Sequence, residues 1–542
     1  IDKSKTPPYY GKTVAYFTPE QRERLWNARV RKDHPRILVN NERLAGLREA
    51  MKTHPAWPHL KRLAEEGKPL ACAFVFMLEG DNRLAAKALS IFDEAAWRAS
   101  KGEGSYEAAL VFDWCFSAVP AGAMEEILKK LAFSGTKESE TDQGARGPAT
   151  YQRLRWGLGD GYERDQSPGF VKAHSFLAIA HHWPGADMEY VNWWHPDGSA
   201  YADHLLRNTF YLDGSYAWFP SMHKAAHNYD KIPKIRQTLA SACGVDTFDE
   251  AQWGSGFHNM LYWIIYNSEL EGGHMLDHFD PYQYGKHTPD ALRHLAESGV
   301  HMLNLVKNPH YQWYINTVAY PGGPVEHFKN DPLRLIELAL FYDPSVPEQR
   351  PSGIPCGRFL APSEMQEATF RSGFDGKGDA IAIFNFSDRL TVLDQLAQAF
   401  GNFVLYKDEY LATHSSQSPL RVRTWGFNSL VFVDTSTRAE SGYDKPVDAF
   451  KPQSVHTLDF VRGYPGNVRG TVEAFESGAA YDYVALRGAA GYWPEAAVKE
   501  WTRQAVFLRP GVLVLFDRTE VAAKNIQPRW LMQVKGERPE IK

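Results

Sequence analysis

The feature that most constrains this fold is a change of hydrophobic periodicity near residue 344. Before it, apolar residues recur at spacings of three and four over roughly 300 residues, as in the segment from Leu44 to Met51, which follows the potential N-cap Asn40. After it, the apolar segments are short, rich in β-branched and aromatic residues, and separated by turn residues. A stretch rich in Pro, Ser and Glu, from Pro344 to Pro355, lies between the two patterns.

These two patterns predict two domains, because 542 residues are too many for one compact core. The first pattern predicts a helical toroid or array, and other all-helical folds stay open. The second predicts an antiparallel β-sandwich. The predicted fold class is α+β multidomain: an N-terminal arm over residues 1–35, an (α/α) toroid over 36–343 and the sandwich over 356–542.

Composition excludes some classes of function. A net charge of −5 and a pI near 6.5 give no basic field for nucleic acid or an anionic membrane, and no apolar run is long enough to span a bilayer. The 16 Trp and 26 Tyr residues suit either a carbohydrate groove or aromatic contacts between helices. The four cysteines lack C-x-x-C spacing, which argues against a zinc ribbon or a redox motif.

Several motifs occur in an order that resembles the heparinase II/III-like polysaccharide lyases. The most specific spans two predicted strands around a Pro-Gly turn, with Arg503, Arg509-Pro510 and Asp517-Arg518 at the family's spacing. The others, in chain order, are His34-Pro-Arg-Ile-Leu38, Leu212-Asp-Gly-Ser-Tyr216, Arg371-Ser-Gly-Phe374 and Gly401-Asn-Phe-Val-Leu-Tyr406. This resemblance implies a helical toroid followed by a β-sandwich, with an acidic polysaccharide in the seam between them.

The resemblance also implies a reaction. Members of this family break a glycosidic bond next to a uronic acid by β-elimination: a side chain neutralises the carboxylate, a Tyr or His removes the C5 proton, and a Tyr or His protonates the leaving oxygen. The expected function is therefore lyase activity on a uronic-acid-containing polysaccharide. Two alternatives stay open, a C5 uronyl epimerase and a carbohydrate-binding protein of this fold whose catalytic site has decayed.

The implied catalytic residues lie in two segments of the toroid. The family's Asn-His pair corresponds to Ala173-His174, so the His is present and the Asn is replaced. The family's Tyr-His pair corresponds to Met222-His223, and methionine cannot transfer a proton. Proton transfer is therefore assigned to His174, Tyr216, His223 and Tyr229, and substrate contacts to Trp194, Trp218, His227, Arg371 and Gln395.

The family's zinc site is expected to be missing. Relatives carry His-x-His-x-Asp before a strand of the sandwich, where this chain has Gln395, Ala397 and Ala399. Alanine has no ligand atom and a neutral amide is a poor one, so no cofactor is expected, although a divalent metal elsewhere stays open.

Location and assembly are less constrained by the sequence. The chain opens on Ile1 without Met and without a signal-like segment, as a processed exported protein or a chain trimmed at its start would. A periplasmic or secreted location is expected, the oligomeric state is not predicted, and relatives lead us to expect that the sandwich is incomplete at its C-terminus.

Overall fold

The computed structural model describes most of the helical part and most of the strands. The described residues are 20, 23–24, 27–99, 105–133, 168–186, 231–246, 248, 255–276, 299–301, 303–360, 367–385, 401–413, 428–434, 450–451, 471–489 and 498–534. Among them, no helix is both long and apolar enough to cross a membrane.

Helices dominate the first part of the chain. They are α1 Asn41–Met51, α2 Ala56–Glu65, α3 Pro69–Glu79, α4 Asn82–Leu89, α5 Glu94–Ala99, α6 Ser105–Trp114, α7 Ala121–Phe133, α8 Pro168–Ile179, α9 Lys231–Cys243, α10 Ser255–Tyr266, α11 Pro309–Tyr314, α12 Pro324–His327 and α13 Pro332–Phe341. A two-stranded ribbon of β1 Ser268–Glu269 and β2 His274–Met275 follows α10.

Local sequence sets the ends of several helices. Asn40 caps α1, its side chain accepting a hydrogen bond from the backbone N–H of Arg43 at 3.1 Å. The apolar spacing of the sequence predicts one helix over residues 81–98. The structure divides it into α4, a 3₁₀ turn and α5, with Asp93 in an extended conformation between the turn and α5. Helix α3 is buried over residues 70–78, which places it in the centre of the helical core.

Antiparallel strands make up the second part. They are β3 Gly357–Leu360, β4 Glu367–Arg371, β5 Ile381–Asn385, β6 Phe403–Lys407, β7 Glu409–Ala412, β8 Leu430–Asp434, β9 Phe450–Lys451, β10 Thr471–Ser477, β11 Tyr481–Arg487, β12 Val498–Leu508, β13 Val512–Val521 and β14 Ile526–Trp530. They form a five-stranded sheet in the order β3-β4-β5-β6-β7, a four-stranded sheet β10-β11-β12-β13 and a three-stranded sheet β14-β8-β9.

The five-stranded sheet lies between two hydrophobic cores. On β5, Ile381 and Ile383 pack into the helical core, whereas Ala382 and Phe384 pack into the core shared with the other sheets. Because side chains alternate across a strand, a strand buried on both faces must be apolar throughout, as β5 is from Ile381 to Phe384. The predicted combination of N-terminal helices and C-terminal antiparallel sheets is confirmed. Closure of the helices into a toroid stays a prediction.

Candidate functional site

His174 lies inside the helical core. It is on α8, its side chain is 1% exposed, and its Nε2 is 3.0 Å from Oγ1 of Thr238 on α9. The ring of Tyr106, on α6, meets the imidazole edge to face at a centroid distance of 4.8 Å. Three helices therefore bring an imidazole, a hydroxyl and a phenol ring together.

A buried ion pair lies beside this group. Lys234 precedes Thr238 by four residues on α9, so the two side chains share one face of the helix. The ammonium of Lys234 is 2.6 Å from a carboxylate oxygen of Glu337 and 5.9 Å from the ring centre of Tyr106. The cluster thus contains a cation that could hold an anionic group if Glu337 were displaced.

Glu337 joins two cations and stays ionised. Its second carboxylate oxygen accepts a hydrogen bond from Arg334 at 2.7 Å, one turn away on α13. Burial alone would raise the pKa of Glu337, but Lys234, Arg334 and His301 together lower it to about 2. The carboxylate is therefore charged at neutral pH and balances the buried Lys234.

Sequence reasoning missed Tyr106, Lys234, Thr238 and Glu337. The apolar spacing of the sequence predicts this helix over Ile235 to Cys243. The structure begins it at Lys231, which brings Lys234 onto the same face as Thr238. No spacing rule could have found Tyr106 or Glu337, because α6 and α13 are distant in sequence from α8 and α9.

Most of the other predicted site residues lie outside the described residues. These are Trp194, Tyr216, Trp218, His223, His227, Tyr229 and Gln395. The replaced positions Met222, Ala397 and Ala399 also lie outside them. Their predicted roles stay predictions.

Arg371 is described, and its geometry does not support the predicted contact with substrate. The side chain is completely buried. Its guanidinium donates to the backbone carbonyls of Tyr266 and Ser268 at 2.8 Å each and lies 3.5 Å from the carboxylate of Asp379. Arg371 therefore ties the end of α10 to the five-stranded sheet.

The described seam between helices and sheet is closed by polar side chains. Glu367 on β4 accepts hydrogen bonds from Trp263 at 3.0 Å and from Asn267 at 2.8 Å. Thr369, two residues along the same face, donates to Asn267 at 2.8 Å. Glu367, Asn267 and Thr369 are completely buried, and Trp263 is 5% exposed. This stretch of the seam has no room for the polymer that the sequence placed there.

The Arg503 motif is likewise part of the core of the sheets. Arg503 lies opposite Asp517 in the β12–β13 register and binds its carboxylate in a bidentate pair, at 2.9 and 2.8 Å. The same guanidinium donates to the backbone carbonyls of Gly401 and Asn428. Arg503, in the most specific motif of the sequence, therefore joins strands of the sheets.

No protein-family model and no curated protein sequence matches this chain. Solved structures to which it is similar include polysaccharide lyases. One is heparan sulfate lyase HepC from Pedobacter heparinus, at 11% identity and a TM-score of 0.44, covering 96% of this chain and 72% of that one. Another is chondroitin AC lyase from Streptomyces coelicolor A3, at 14% identity and a TM-score of 0.38, covering 96% and 68%.

A third is a heparinase III, at 11% identity and a TM-score of 0.29, covering 90% of this chain and 80% of that one. With TM-scores below 0.5, these overlaps assign neither a fold nor an activity to this protein.

Proposed function

We propose that this protein is a polysaccharide lyase that cleaves a uronic-acid-containing polysaccharide by β-elimination within a helical toroid. The observation that carries the proposal is the convergence of His174, Tyr106 and Lys234 from three helices. These side chains supply an imidazole, a phenol and an ammonium, which are the group types that this reaction needs. The order of motifs along the sequence supports the same assignment.

In this mechanism, the uronate carboxylate displaces Glu337 from Lys234, and the ammonium then makes the adjacent C5 proton more acidic. His174 in its neutral form accepts that proton, and a phenol or imidazole of the segment containing Tyr216, His223 and Tyr229 protonates the leaving oxygen. Trp194, Trp218, His227 and Gln395 are proposed to contact the sugar chain. Water is not a reactant.

The burial of His174 adds a requirement. The side chain of His174 is 1% exposed, so a polymer cannot reach it in this structure. Substrate binding must therefore separate α6, α8 and α9, as happens in enzymes whose active sites open to admit substrate and close around it. Because Thr238 is on α9, this opening also breaks its contact with Nε2 of His174 and frees that nitrogen for the proton.

The test is digestion of alginate, heparan sulfate, chondroitin, hyaluronan, glucuronan and pectin, followed by the ultraviolet absorbance of the unsaturated product. The variant His174→Gln keeps an amide that can bond to Thr238 but cannot transfer a proton, and we expect a loss of at least about 100-fold in kcat. His310→Gln is the matched control, because His310 is also buried but bonds to the carbonyl of Gln349. Equal turnover of His174→Gln and wild type would contradict the assignment.

A second candidate is a carbohydrate-binding protein of the same architecture. It is favoured by the burial of His174 and by the replacements at Ala173 and Met222. Binding of a uronate polymer without an unsaturated product, and without deuterium uptake at C5, would select it. Deuterium uptake at C5 without cleavage would instead select the epimerase.

A further inference from the structure

A pair of histidines lies apart from the proposed site, where the chain enters the helical part. His34 precedes α1 and His182 follows α8, and their Nε2 atoms are 3.3 Å apart. Phe116 stacks on the ring of His34 at 3.9 Å and contacts that of His182 at 4.6 Å. The His34 side chain is 4% exposed and His182 is half-buried, so the pair is reached from the His182 side.

Asp113 orients His34. One carboxylate oxygen of Asp113 is 2.6 Å from Nδ1 of His34, and the other accepts the backbone N–H groups of Arg36 and Ile37 at 2.8 Å each. A carboxylate accepts, so Nδ1 of His34 carries the hydrogen, and in the neutral imidazole Nε2 then has a lone pair that faces His182. A carboxylate that bonds the far nitrogen of a metal-binding histidine is the usual outer partner of such a ligand.

The separation of the two nitrogens suits a metal ion. With metal–nitrogen bonds of about 2.0–2.1 Å at a tetrahedral angle, two imidazole nitrogens lie roughly 3.3–3.4 Å apart. We propose that His34 and His182 bind one divalent transition metal ion through their Nε2 atoms, with Asp113 as the outer partner of His34. Imidazole ligands suit zinc, nickel and copper.

The charges around the pair are compatible with this proposal. Arg36 is the nearest fixed cation, but its guanidinium donates to the carbonyls of Ala178 and Ala180 and lies 3.9 Å from the carboxylate of Asp113.

The site has two protein ligands. In the part of the chain that the structure covers, no three His, Cys, Asp or Glu side chains are grouped to hold a metal together. Water completes the coordination, so we expect binding weaker than that of a structural zinc site with four protein ligands. The alternative is that the two rings share only a proton.

The experiment is titration of the metal-free full chain with Zn²⁺ in competition with a chromophoric chelator at neutral pH, repeated with Co²⁺ to record its visible absorption. We expect wild type to bind one more metal ion per chain than His34→Gln or His182→Gln does. The control His310→Gln should bind the same number of metal ions as wild type. In Asp113→Asn we expect the affinity for this additional metal ion to fall by about 10–100-fold.

His182→Gln is the decisive variant, because His182 is half-buried and its replacement leaves the contact of Asp113 with the backbone intact. If His182→Gln retains every metal equivalent of wild type, the histidines share only a proton and the proposal is overturned. This readout does not depend on lyase activity.

Discussion

Removing the charge of Glu337 gives the sharpest test of the buried cluster. In Glu337→Gln the side chain keeps its shape but no longer balances Lys234 and Arg334, which lie 2.6 and 2.7 Å from its carboxylate oxygens. Lys234 is 3% exposed, so water cannot solvate its ammonium in place of the lost carboxylate. Breaking one partner of a buried ion pair typically costs about 3–5 kcal/mol.

The lowered pKa of Glu337 leads to a similar contribution to the free energy of unfolding. Its ordinary value is 4.5 and its folded value is about 2. Each pKa unit corresponds to about 1.4 kcal/mol, so ionisation of Glu337 contributes roughly 3 kcal/mol to the free energy of unfolding. Because the folded pKa is the lower one, this contribution is complete above pH 4.5 and is lost as pH falls toward 2.

The assay is urea denaturation at neutral pH, followed by circular dichroism. We expect Glu337→Gln to lower the denaturation midpoint clearly, and its difference from wild type to shrink when both are measured below pH 4.5. Glu326→Gln is the control, because it removes an exposed partner of Lys329 in an i,i+3 pair and should change nothing measurable. A midpoint for Glu337→Gln equal to that of wild type at neutral pH would refute the reasoning.

Three further substitutions test the fold, each by the same denaturation assay. Arg503→Lys keeps the charge but loses the bidentate hydrogen bonds to Asp517, and should cost about 1–3 kcal/mol; an unchanged midpoint would contradict its role in joining strands. Gly401→Ala should cost more than about 2 kcal/mol, because φ is +70° and a Cβ would collide with Trp501; a neutral effect would contradict this. Asn40→Ala should cost about 1 kcal/mol through loss of the α1 cap, and an unchanged midpoint would contradict it.

The sequence predicted the order of helices and strands because periodicity is a local property. Residues 44–51 repeat at helical spacing, and the strands around Pro510 alternate inward and outward, with Trp501, Arg503, Ala505 and Phe507 buried. Burial of β5 on both faces was not predicted, since the helical layer that covers one face is remote in sequence.

Less of the site than of the fold can be predicted from the sequence. The resemblance singles out His174, but its contacts come from α6 and α9 and its burial depends on packing that no local pattern records. Arg371 was also assigned from the order of motifs. Its donors bind the carbonyls of Tyr266 and Ser268, contacts across the helix–sheet boundary that no local pattern records.

The most direct measurement of the central claim is the appearance of an unsaturated uronic acid when the purified protein digests a uronate polymer. The account predicts ultraviolet absorbance that rises with wild type and with His310→Gln, and that stays at background with His174→Gln. A folded wild-type protein that produces no unsaturated product from any of the six polymers, or a His174→Gln variant as active as wild type, would contradict it.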